Sequence, residues 1–306
     1  MLLRILFGFV FTLTYCLVKA EPLTIEALGH DVYVHHGVHE DLSENYHGDI
    51  CNVSFIVGSK GIAVIDTGGS FKVGQQLRES IRKVSPLPIL YVINTHVHPD
   101  HIFGNAAFKQ DNPAFVGHEK LPDAMERRRE SYFRTNQQWL GESFAGSELI
   151  KPNVLVKGTL KLDLGDRTLV LTAYPTAHTN TDLTVFDNKS STLWTGDLLF
   201  VERTPSIDGD IKGWLNVINE LKTHEAENAI PGHSGLLKES NWKQQLNNEE
   251  RYLWTLLNDI RASIKKGEVM EKAMATAAAS ERRYWQLFDI VNRRNVNNIY
   301  PSLEWE

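Results

Sequence analysis

The chain has 306 residues, of which 42% are hydrophobic and 23% are charged, and its formal net charge is −6 at pH 7. These proportions are those of a globular protein with a sizeable core, and they exclude the disordered and fibrous classes. The acidic balance disfavours nucleic acids and anionic membrane surfaces as partners.

Residues 1–20 differ from the rest of the chain. Arg4 is the only charge before an apolar run over residues 5–18, and the run ends in the sequence Val18-Lys19-Ala20. A short apolar run followed by this small-residue pattern is typical of a cleavable secretory signal peptide, and an uncleaved N-terminal anchor is the alternative. We therefore expect a periplasmic or secreted protein with no membrane contact after cleavage.

Cleavage would leave Cys51 as the only cysteine, so an intrachain disulfide could not form even in an oxidising compartment. Cys51 begins a strand-like apolar segment. That context favours a buried thiol over a metal ligand or a nucleophile.

In the first half of the chain, short apolar runs typical of strands precede segments with helical periodicity. Strands are predicted at Val32–His35, 52–57, Ile62–Ile65, Ile89–Ile93 and 114–116. Ser70 can cap a helix whose apolar residues recur at helical spacing, namely Val73, Leu77, Ile81 and Val84. A polar loop over residues 36–48 could reach across a site, and residues 102–109 and 119–147 are helical in tendency.

The second half repeats the order of strands followed by a helix. Strands are predicted at 160–164, Thr168–Ala173, 182–187, 192–195 and 228–230, with a helix over 211–222. Two such halves favour two sheets packed face to face with helices outside, in one domain over residues 21–238. Residues 239–306 are predicted to form a helical extension that packs on this domain or makes a dimer contact, and the oligomeric state stays open.

The seven-residue segment THVHPDH, Thr95 to His101, carries three imidazoles and a carboxylate directly after a predicted strand. Converging nitrogen and oxygen donors are what a zinc-type ion requires. Other candidate ligands on loops at strand ends are His118, His178, Asp197 and His233. A single histidine after a strand is more often a solvated or hydrogen-bonded residue than a ligand, and we interpret four histidines in this way, His35, His36, His47 and His118.

The chain resembles the metallo-β-lactamase-fold superfamily between about Asp31 and Ser234. Five motifs in order carry the resemblance: Asp66 in Ile-Asp-Thr-Gly, the Thr95 to His101 segment, His178, Asp197 and His233. The resemblance implies an α/β (α+β) fold, the αββα sandwich, with a two-metal site at one edge.

The resemblance also implies a division of ligands. His96, His98 and His178 would hold the first metal, Asp100, His101 and His233 would hold the second, and Asp197 would bridge them. Asp66 would hold the Thr95 to His101 segment, called the ligand loop below, by hydrogen bonds. Asp100 would also be catalytic, because its carboxylate could orient the nucleophile and pass on its proton. Two zinc ions are expected, with iron or manganese as other candidates, because three neutral imidazoles suit a tetrahedral zinc and carboxylates favour a more open second site.

Such a site implies a binuclear hydrolase that cuts an ester, thioester, lactone or lactam bond of a small molecule. Members with a redox diiron site carry a glutamate where His98 stands, and class B β-lactamases usually lack an aspartate at the position of Asp197. These differences disfavour a diiron site and efficient lactam hydrolysis, but weak β-lactamase activity stays open. Two further functions also stay open, a mononuclear iron persulfide dioxygenase on the same fold and a non-catalytic metal-binding accessory protein.

A finer resemblance rests on the signal peptide, the segment from Asp197 to Pro205, Asp208-Gly209, Trp214 and the helical tail. These features are similar to the quinoprotein relay system zinc metallohydrolases, which are related to the SoxH proteins. That subgroup implies a periplasmic partner system of quinoprotein (PQQ-dependent) oxidation.

Arginines are the candidate substrate-binding residues. Arg203 lies on the loop after Asp197 and is predicted to contact the substrate. Arg127 to Arg129 and Arg134 could bind an anion from a helix above the site, although a charge run on a helix is more often a solvated face.

Overall fold

The computed structural model describes residues 20–41 and 46–306. The predicted signal peptide lies outside the described residues except for Ala20. No helix in the described part of the chain is both long enough and apolar enough to span a bilayer.

The first sheet has seven strands in chain order. They are β1 (Glu26–Gly29), β2 (Val32–His35), β3 (Val53–Val57), β4 (Ile62–Ile65), β5 (Ile89–Ile93), β6 (Ala114–His118) and β7 (Val154–Val156). The pairs from β1 to β4 are antiparallel, and those from β4 to β7 are parallel. The carboxyl ends of β4, β5 and β6 therefore meet at one edge of the sheet.

The second sheet has six strands in the order β13-β12-β11-β10-β9-β8. They are β8 (Thr159–Asp163), β9 (Thr168–Ala173), β10 (Leu183–Asp187), β11 (Thr192–Gly196), β12 (Asn228–Pro231) and β13 (Leu237–Lys238). Only the β11–β12 pair is parallel, so these two strands also end at a common edge. The sequence patterns did not predict β1, β7 or β13, which have two to four residues each.

The α-helices are α1 (Phe71–Val84), α2 (Pro99–Ile102), α3 (Leu121–Leu140), α4 (Ile211–Leu221), α5 (Glu239–Lys265), α6 (Met270–Thr276) and α7 (Phe288–Leu303). Short 3-10 helices cover Phe103–Asp111, Gly141–Phe144 and Ala279–Tyr284. The hydroxyl oxygen of Ser70 accepts a hydrogen bond from the Val73 amide at 3.2 Å, so the predicted cap of α1 is confirmed.

Successive side chains of a strand point to opposite faces of the sheet, so each strand contributes to the core between the sheets and to the core under the outer helices. In β3, Ile56 joins the core between the sheets, whereas Phe55 faces α1 and packs with Leu77 and Ile81. Leu171 and Trp194 of the second sheet complete the inner core. With helices outside both sheets, the predicted αββα sandwich is confirmed.

The helical tail continues the outer layer of the second sheet. Trp242, Leu256 and Val296 of the tail are buried in the same apolar cluster as Trp214 and Ile218 of α4. Within the described part of the chain, the tail therefore packs on the domain and shares a core with it.

Candidate metal centre

The site lies at the edge where strands of both sheets end. Asp66 follows β4, the Thr95 to His101 segment follows β5, Asp197 follows β11, and His233 follows β12 with one residue between. His178 lies on the loop between β9 and β10. Because the strands on each side of the edge run parallel, loops far apart in sequence deliver their side chains to one place.

Three imidazoles form the first group. The Nε2 atoms of His96 and His178 lie 3.1 and 3.0 Å from Nδ1 of His98. Ligand atoms of His96, His98, His178 and Asp197 all lie within 4.8 Å of one another. These are the residues predicted to surround the first metal and the bridge.

A second group of donors also lies around Asp197 and approaches both of its carboxylate oxygens. Nε2 of His101 lies 3.4 Å from both Oδ1 of Asp197 and Oδ2 of Asp100. Nε2 of His233 lies 3.3 Å from Oδ2 of Asp197 and 3.7 Å from Oδ2 of Asp100.

Asp197 lies between the two groups. Its Oδ2 atom is 3.7 Å from His96 and 3.5 Å from His178, while Oδ1 faces His101. The structure therefore brings all seven predicted ligands together, with the carboxylate of Asp197 in the position expected of a bridge.

Each of the five histidines directs one ring nitrogen to this cluster and binds a second group through the other. The second groups are Thr95 Oγ1 for His96, Asp208 for His98, Asp66 for His101, the Ser206 carbonyl for His178 and the Ile50 carbonyl for His233. Metal-ligating histidines are fixed in this way, because the second hydrogen bond sets both the tautomer and the ring orientation.

Asp66 orders the ligand loop from behind. One carboxylate oxygen accepts the Thr95 amide at 2.8 Å, and the other accepts the Thr95 hydroxyl at 2.7 Å and Nδ1 of His101 at 2.8 Å. The backbone of Asp66 has a φ of 54°, a left-handed conformation that aspartate tolerates better than most residues. The structure thus gives Asp66 the contacts predicted for it.

The residues fit divalent metal ions. Nε2 of His101 and Oδ1 of Asp197 are buried and have no hydrogen-bond partner among the described residues, although both point into the cluster. The ligand atoms of a tetrahedral zinc lie about 3.3 Å apart, which is close to the distances between these donors. Two metal ions would satisfy the buried atoms that the protein leaves unpaired.

Burial keeps two imidazoles of the first group, those of His178 and His96, in their ligating form. It lowers the pKa of His178 to about 3, with the neighbouring His98 adding to the effect. Burial and the adjacent imidazole of His101 also hold the pKa of His96 well below its usual value. Neutral imidazole is the form that binds metal.

The comparison with known protein families identifies the family of this chain. The model of the family described as the Metallo-beta-lactamase superfamily matches residues 47–233, more than half of the chain. The chain belongs to the metallo-β-lactamase superfamily. The family was predicted from its motifs, and this match confirms it.

Known proteins are similar to this chain over different lengths. A linear primary-alkylsulfatase of Pseudomonas sp. (strain ATCC 19151) is 33% identical over 66 residues, which are 22% of this chain and 12% of that protein. The stereoselective inverting sec-alkylsulfatase from Pseudomonas sp. has a TM-score of 0.69 at 17% identity, over 92% of this chain and 50% of that one. A metallo-β-lactamase from Pontibacter korlensis has a TM-score of 0.59 at 17% identity, over 76% of this chain and 99% of that one.

The chain therefore spans half or less of the alkylsulfatases that it matches. The structural likenesses confirm the superfamily fold and leave the reaction to be argued from the site.

Asp208 is a site residue that the sequence patterns missed. Its Oδ2 atom lies 3.2 Å from Nε2 of His98 and accepts a hydrogen bond at 2.8 Å from Nη2 of Arg128 in α3. Asp208 thus fixes His98 so that Nδ1 faces the cluster. Its position next to the strand-end ligands was not visible in the sequence, which showed only an Asp-Gly pair before a helix.

Gly232 was also missed. A Cβ atom at this position would overlap the carboxylate of Asp197, so only glycine allows the β12 loop to approach the bridging residue. The signal was present in the sequence as the glycine immediately before His233.

Arg203 has a different contact from the one predicted. It is buried, and its guanidinium donates a hydrogen bond at 2.8 Å to the carbonyl oxygen of Glu40. Arg203 therefore fastens the polar loop, and its contact with a substrate remains a prediction.

Cys51 is buried and its thiol donates a hydrogen bond at 2.8 Å to the carbonyl oxygen of Asp100. Burial raises the pKa of this thiol well above its usual value, so it is a protonated donor that supports the ligand loop.

Of the four histidines interpreted as solvated or hydrogen-bonded residues, His47 is exposed and the other three have hydrogen-bond contacts. His35 contacts Asp49 at 2.8 Å, His36 contacts Glu26 at 2.9 Å, and His118 contacts the Tyr174 carbonyl at 3.2 Å. None of these three belongs to a metal-type cluster of the described residues.

Proposed function

We propose that this protein is a binuclear metal-dependent hydrolase that cleaves an ester, thioester, lactone or lactam bond. The observation that carries this proposal is the arrangement of five histidines, each fixed from behind, around the shared carboxylate of Asp197. Zinc is the proposed metal because imidazole and carboxylate ligands in a partly open shell are typical of catalytic zinc sites.

When bound, the two ions would supply Lewis-acid activation of water and of the substrate oxygen under attack. The chain's own residues would hold and orient the reactants. Asp100 lies beside both His101 and His233, and these imidazoles overcome the opposing effect of burial and hold the pKa of its carboxyl well below the usual range. Its ionised carboxylate could therefore orient the nucleophile and accept a proton.

Sulfate esters are the second candidate substrates. The segment that is 33% identical to the linear primary-alkylsulfatase favours this candidate. We also propose that the protein is exported to the periplasm and serves a quinoprotein oxidation system, which is supported by the N-terminal sequence and by the resemblance to the quinoprotein relay system metallohydrolases.

A hydrolysis panel tests the proposed reaction. The zinc-loaded protein is assayed with a chromogenic β-lactam, a lactone, a glutathione thioester, an aryl ester and an aryl sulfate. We expect turnover of at least one member, its loss in His98→Ala, and its retention in His118→Ala, which removes a histidine outside the cluster.

Turnover that is equal in His98→Ala and the wild type would contradict the proposal. Oxygen uptake on glutathione persulfide by protein that purifies with iron would favour a persulfide dioxygenase instead. Export is tested separately by N-terminal sequencing of the mature protein, which we expect to begin at Glu21.

A further inference from the structure

Helix α3 is fixed directly on the ligand loop. Met125 of α3 is buried in one apolar cluster with Val97 and Phe103, which flank the histidines of the loop. The rings of Tyr132 and Phe133 lie 6.5 and 5.4 Å from the ring of Phe103. These contacts pack α3 against the segment that carries His96, His98 and His101.

Arg128 is the member of the charge run that faces the site. It donates to Asp208, which in turn contacts His98, and its side chain is 25% exposed. Its neighbours Arg127 and Arg129 are exposed, as expected of a solvated face. Only Nη2 of Arg128 is used by Asp208, so further guanidinium N–H groups stay available.

Tyr132 lies one helical turn after Arg128 and therefore on the same face of α3. Its hydroxyl is buried and has no hydrogen-bond partner among the described residues. A buried hydroxyl without a partner costs free energy, which an incoming acceptor would recover. The charges of Arg128, Asp208 and Asp100 act on the pKa of this hydroxyl.

We propose that Arg128 and Tyr132 form a binding site for an anionic oxygen group of the substrate, a carboxylate or a sulfate, next to the bond that is cut. The inference deepens the proposed function and rests on it for the reaction, though not for the binding. Both groups are donors, and a guanidinium with a free N–H edge suits a carboxylate or sulfate oxygen. Burial raises the pKa of Tyr132 well above its ordinary value, so its hydroxyl remains a donor at neutral pH.

The test removes one oxygen atom. Tyr132→Phe deletes the hydroxyl and keeps the ring against Phe103, and Tyr284→Phe is the matched control because Tyr284 lies half-exposed on the tail. Isothermal titration calorimetry measures the binding of sodium sulfate, sodium benzoate and neutral benzamide to each zinc-loaded protein. We expect Tyr132→Phe to weaken the binding of one of the two anions about tenfold, which corresponds to the loss of a hydrogen bond to a charged group.

The anion with the larger loss identifies the head group as sulfate or carboxylate. A kinetic arm compares p-nitrophenyl sulfate with p-nitrophenyl acetate, and we expect KM for the anionic ester to rise with little change in kcat, while the neutral ester is unaffected. Arg128→Lys should also raise KM for the anionic ester, whereas Arg129→Gln should not.

Equal anion affinities in Tyr132→Phe and the wild type would overturn the inference, as would no anion binding by the wild type. A loss that is equal for anionic and neutral compounds would also overturn it, because it would indicate general damage. Failure of the proposed function is a separate result: the wild type would bind the anion through Tyr132 and yet cut no bond in the panel.

Discussion

The two halves of the ligand set are built in different ways. His96, His98, Asp100 and His101 come from one continuous segment, the end of which forms α2, and Asp66 and Thr95 order that segment through side-chain hydrogen bonds. His178, Asp197 and His233 come from three separate loops, and their two imidazoles are held by the backbone carbonyls of Ser206 and Ile50.

This difference determines which changes each half can tolerate. Side-chain substitution can remove the supports of the first half one at a time. Backbone carbonyls remain in any variant, so the second half should respond mainly to changes that move its loops. The following predictions compare the two halves, from the largest expected effect to the smallest.

Gly232→Ala should damage the second half most. The added methyl group would overlap the carboxylate of Asp197, so that either the β12 loop or the bridging residue must move. A displacement of about 1 Å at a catalytic group can reduce activity about 10²-fold, and we expect that loss together with reduced metal content. The readouts are kcat/KM on the best panel substrate and metal analysis.

Gly235→Ala is the matched control, since a Cβ at that position meets no atom within 4 Å. Normal activity is expected for it. Full activity in Gly232→Ala would show that the second half does not depend on the close approach of this backbone.

Asp66→Asn should weaken the first half. An amide keeps only one acceptor oxygen, so it cannot accept the Thr95 amide on one side and the Thr95 hydroxyl and His101 on the other. Either the loop backbone or the imidazole therefore loses its fixed position. Loss of such an outer partner typically costs about 10–100-fold in metal affinity, which competition with a chelator measures. Ser206→Ala is the control, because it leaves in place the backbone carbonyl that holds His178. An equal loss of metal affinity in both variants would contradict the distinction between side-chain and backbone support of the ligands.

Glu249→Gln tests the support that the tail gives to the second half. One carboxyl oxygen of Glu249 accepts the Phe200 amide at 2.9 Å, and the ring of Phe200 stacks on His233 at 5.6 Å. Burial raises the pKa of Glu249 well above its ordinary value of 4.5, so folding favours the protonated carboxyl. Its contribution to stability is complete below about pH 4.5 and is lost as the pH rises towards the folded pKa.

Glutamine keeps the acceptor for Phe200 and cannot ionise. The free energy of unfolding of the wild type, measured relative to Glu249→Gln by urea denaturation, should therefore fall by about 1 kcal/mol or more between pH 5 and pH 8. Glu304→Gln, at an exposed position of the tail, should show no such trend. A difference that is independent of pH would contradict the assigned protonation state.

The sequence predicted what periodicity and ligand chemistry encode locally. The THVHPDH segment, the cap at Ser70 and the longer strands follow from patterns within a few residues, and the motif order identified the fold. Asp208 and Gly232 could not be predicted as site residues, because their roles arise from contacts with His98 and Asp197, which lie on other segments of the chain. Tyr132 could not be predicted either, because its unpaired hydroxyl results from the way α3 packs in the fold. Arg203 shows the same limit, since its partner Glu40 lies 163 positions away.

The most direct test of the two-metal centre is the metal content of the purified protein. It is measured by inductively coupled plasma mass spectrometry and divided by the protein concentration. Both groups of ligands around Asp197 predict about two divalent ions per chain, with zinc as the main element. A content of one ion per chain or none, after purification in zinc-supplemented buffer, would contradict the account.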